Sequence, residues 1–114
     1  MKTHLFESFA EMVNGLPAAG ILKALELEHR MLENDLLHQR GTATCEITSV
    51  LSFCQFIGAV ARGDNIFPVE LPARHVAFYH DVVKWLITAG ELPAGAKEQF
   101  DSTFSSGFFK ALAN

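Results

Sequence analysis

Glu26 and His29, a glutamate and a histidine three residues apart, are the side chains of this sequence best suited by type and spacing to hold a metal ion. On an α-helix, positions i and i+3 share a face, and carboxylate-bridged metal bundles draw ligands from pairs of this kind. Glu33 follows His29 by four residues, again on that face. Imidazole and carboxylate pointing together into a bundle would be metal-ligand chemistry. A two-metal centre of that type draws on a second Glu-x-x-His, and the chain has none. Asp35 and His38 repeat the spacing but fall on the opposite side of the same helix. A histidine in such a seam is more often a core or boundary residue satisfied by a neighbouring carboxylate.

His75 and Tyr79 form the other candidate pair, four residues and one helical turn apart. Together they could bind a small ligand or move a proton. The plainer expectation is a first-turn histidine near the rim of a bundle, with Tyr79 half-buried beside it. His80 lies about 140° round from His75 and cannot act with it. If the helices carrying the two pairs are neighbours, Glu26, His29, Glu33, His75 and Tyr79 could converge. That would be the one place for a site.

Other reactive residues support no catalytic constellation. Cys45 and Cys54 are nine positions apart, which places them on opposite sides of one helix, where they cannot form a disulfide. Two free thiols fit a reducing compartment, so the expectation is a cytoplasmic protein. Ser102, Ser105 and Ser106 lack the glycine pattern of a nucleophile elbow, and Gly58 and Gly107 belong to no phosphate-binding loop.

Helices must position these residues. Leu-Pro-Ala recurs at 16–18, 71–73 and 92–94, and proline is tolerated at the first helical position, so each triplet predicts a helix start. A first helix is expected over 3–14, capped by Thr3 and ended by a left-handed Gly15, with Phe6, Phe9 and Val13 inward. A second covers 17–40, ended by Gly41. Its seam is Leu22, Leu25, Leu32 and Leu36, and an opposite, thinner apolar stripe holds Ala24, Leu27 and Met31. A third, over 44–62, is apolar over most of its surface. Only Thr48, Ser52, Gln55 and Arg62 look solvated, and Gly63-Asp64-Asn65 ends it.

Residues 66–70 read as an extended connector, because Pro68 and Pro72 bias their predecessors away from helix. A fourth helix over 72–89, ended by Gly90, should turn Phe78, Val82, Trp85 and Leu86 inward. A fifth starts near Pro93 and carries Phe100, Phe104 and Phe108 at helical spacing, with a kink or restart at Ser105-Ser106-Gly107. No segment alternates as a strand. The fold class is therefore all-α, an up-and-down bundle of about five helices. The 114 residues amount to one domain, of which 49% hydrophobic content supplies the core.

A net charge of −4 and nine basic residues that never adjoin argue against nucleic acid as a partner. No polybasic flank suits an anionic membrane, and the longest apolar stretch, 50–61, is too short to span one. The first residues contain no apolar run before Glu7 and are not expected to be a signal peptide. The two-sided second helix and the ten phenylalanines point to protein–protein association, first as a homodimer and then with another protein. Phe109, beside Phe108, is a second candidate contact. The alternative function is a bundle that binds a metal or small ligand, with or without catalysis, at Glu26, His29, His75 and Tyr79.

Overall fold

The computed structural model describes residues 5–38, 45–64 and 67–105, apart from the side chains of residues 35–38 and Cys45. Thr3, Gly41, Asn65, Ser106, Gly107, Phe108 and Phe109, and the side chains of Asp35, Leu36, His38 and Cys45, lie outside that description. The chain is all-α, with five helices among the described residues and strand limited to two residue pairs. It divides into two compact units, Met1–Gly58 and Ala59–Asn114, and the boundary falls inside a helix.

In the first unit, α1 (Leu5–Asn14) buries Phe6, Phe9 and Val13, the stripe expected from their three-four spacing, while Glu7 and Glu11 face water. Its end differs from expectation. Positive φ among the described glycines occurs at Gly63 and Gly90, not at Gly15. The Gly15 N–H is instead shared between the carbonyls of Glu11 and Met12, at 3.1 and 3.2 Å, a bifurcated last turn.

Helix α2 (Ala18–His38) buries Ile21, Leu25 and Leu32, whereas Leu22 is only partly covered. The seam is thus rotated toward Ile21 from the one expected. Leu27 and Met31, on the opposite stripe, are 49% and 59% exposed. Helix α3 (Cys45–Arg62) encloses Ser49, Val50, Leu51, Phe53, Cys54, Phe56 and Ile57 within this unit, with Thr48 and Gln55 in solvent. Phe53 and Phe56 stack with ring centroids 6.5 Å apart.

The second unit takes up the last turn of α3, which ends at Gly63 with φ of 78°. Asp64 N–H donates to the Ala59 carbonyl at 2.8 Å and Gly63 N–H to that of Val60 at 3.2 Å. These paired bonds form a Schellman termination, which needs the left-handed backbone that glycine adopts without strain. Strand β1 (Val69–Glu70) pairs in parallel with β2 (Phe104–Ser105), Val69 opposite Phe104, and Leu71 N–H extends the pairing to the Ser105 carbonyl at 2.9 Å. This small sheet was not expected from the sequence.

Helix α4 (Ala73–Thr88) follows Pro72, which is the N-cap rather than the first helical residue. A second Schellman termination ends it, with Glu91 N–H on Leu86 at 2.8 Å and Gly90 N–H on Ile87 at 3.0 Å. Its buried face is His75, Tyr79, Val82, Val83 and Leu86. Trp85, expected inward, is 42% exposed, and Phe78 is only partly buried. Helix α5 (Ala96–Thr103) begins three residues beyond Pro93, after a turn closed by Ala96 N–H on the Pro93 carbonyl at 3.0 Å. It stops before Phe104, whose φ of −104° and ψ of 135° are extended, so Phe100 and Phe104 do not share one helix.

Candidate functional site

On α2 the nearest approach among the expected ligands is between His29 and Glu33. His29 Nε2 lies 3.2 Å from Glu33 Oε2, with the imidazole 29% exposed and the carboxylate in solvent. The distance allows an ion pair when the imidazole is protonated. Nε2 is itself shielded from water and has no hydrogen-bond partner among the described residues. His29 is less enclosed than its seam position suggested. Four residues past Leu25 and three before Leu32, it sits about 40° and 60° from them, at the edge of the stripe.

Glu26 does not join it. Its Oε2 stands 3.6 Å from Arg30 Nη2, both side chains being largely exposed. An i, i+4 carboxylate–guanidinium pair on a helix surface contributes about 0.3–0.5 kcal/mol. Among the described residues, no three of His, Cys, Asp or Glu stand together as a metal-ligand set.

Glu28, which the sequence reading passed over, bears on a reactive group. It falls three residues past Leu25 and seven past Ile21, on the buried side of α2, and is half-buried. Cys54 on α3 is a buried free thiol whose pKa is pushed up to about 12, chiefly by burial and then by the charge of Glu28. A thiol so placed stays protonated at neutral pH, which makes it a packing residue and a poor nucleophile. The helical period was enough to find Glu28 once Ile21, not Leu22, is placed in the seam.

In the second unit, His75 and Tyr79 are both almost fully enclosed, not at a rim. Their rings meet edge-on with centroids 6.2 Å apart. Phe78 lies against Tyr79 at 6.0 Å, and Phe104 lies against it at 6.4 Å. Phe100 in turn packs on Phe104 at 4.9 Å and on His80 at 5.7 Å. The parallel pairing of β2 with β1 carries Phe104 to Tyr79 and so covers this end of α4. Both side chains are buried in the interior of their unit, with the rings of Phe78 and Phe104 against Tyr79.

The five expected site residues are divided between the units, with Glu26, His29 and Glu33 in the first and His75 and Tyr79 in the second. No family model, curated protein or solved structure matches this chain. Among the described residues no helix is long and apolar enough to cross a membrane.

Proposed function

We propose that this protein acts by association with a second copy of itself, most simply as a two-fold dimer, through the outer face of α2. The observation that carries the reading is the exposure of Leu27 and Met31, one turn apart on that face, at 49% and 59%. Covering what each exposes would contribute about 1 kcal/mol apiece, and a two-fold axis uses the same patch twice. A cytoplasmic setting suits the free Cys54 thiol. The metal- or ligand-binding alternative has weaker support, because Glu26 is engaged by Arg30 and His75 and Tyr79 are enclosed. Light scattering at micromolar concentration should give the dimer mass for the natural chain and the monomer mass for Met31→Asp. A monomeric natural chain would remove this reading.

A further inference from the structure

We draw no further inference here: the strongest candidate, the edge-on Phe78–Trp85 pair on the outer face of α4, is a partly exposed apolar surface with nothing in the structure to show what covers it.

Discussion

The backbone N–H of Phe6 donates to Glu46 Oε1 at 2.9 Å, joining the first turn of α1 to the first turn of α3 across 40 positions of sequence. The first N–H groups of a helix have no partner within it, and a side-chain acceptor there usually comes from the residue just before. Here it comes from another helix, and its negative charge also suits the positive end of the α1 dipole. One side chain thus caps α1 and fixes its distance from α3 within the first unit.

Removing that acceptor should destabilise the first unit. Glu46→Ala is expected to cost about 0.5–2 kcal/mol, the range found for lost helix caps. Glu46→Gln keeps an oxygen in place and should cost less than half as much. Urea unfolding followed by circular dichroism separates the two. Equal stability of all three chains would show that the bond does not matter in solution.

Cys54 links stability to alkaline pH, and the sign follows from the direction of its shift. Its folded pKa is raised to about 12 from an ordinary 9.0. Below pH 9 the thiol is protonated in both states and contributes no pH dependence. Above pH 9 the unfolded chain loses that proton while the folded one retains it, so stability falls with rising pH until about pH 12. The slope approaches about 1.4 kcal/mol per pH unit. The difference in unfolding free energy between the natural chain and Cys54→Ala, measured at pH 8.5, 9.5 and 10, isolates this group. A difference constant over that range would contradict the shift.

His29 lies at the edge of the α2 stripe with a shielded and poorly bonded Nε2. An unsatisfied polar atom costs roughly 1–3 kcal/mol when buried, less at a partly exposed site. His29→Leu should therefore be neutral or stabilising by up to about 1 kcal/mol in thermal unfolding. Elemental analysis showing near-stoichiometric zinc, iron or manganese, lost on His29→Leu, would instead make it a ligand.

Trp85 is the chain's one tryptophan, so intrinsic fluorescence reports on it alone. Its exposure predicts red-shifted emission and ready quenching by acrylamide in the folded protein. Trp85→Ala should accordingly cost less than Tyr79→Ala, for which loss of an enclosed ring predicts about 3–5 kcal/mol. A blue-shifted, quencher-resistant emission would mean that α4 buries the opposite edge of its face.

Much of the local structure was legible in single stretches of chain. Phe6, Phe9 and Val13 share a face because residues three and four apart do so on any helix, and the structure buries those three. Gly63 and Gly90 follow the last periodic residues, and both take the left-handed conformation that ends their helices. Pro68 and Pro72 announced an extended connector. These features depend on backbone sterics and on period, which a sequence carries in itself.

The remaining features depend on contact with another segment. Helical spacing put Phe104 in line with Phe100, but pairing with Val69 made it a strand residue, since backbone hydrogen bonds to a distant partner outweigh weak local propensity. The same pairing brought its ring to Tyr79, which local sequence had left half-buried. Period showed that α2 has an apolar face but not its centre, and tertiary packing chose Ile21 over Leu22. That rotation leaves Glu26 to Arg30 and places Glu28 near Cys54. Sequence thus determined which residues share a surface, and tertiary structure decided what covers it, because burial depends on neighbours that are far away along the chain.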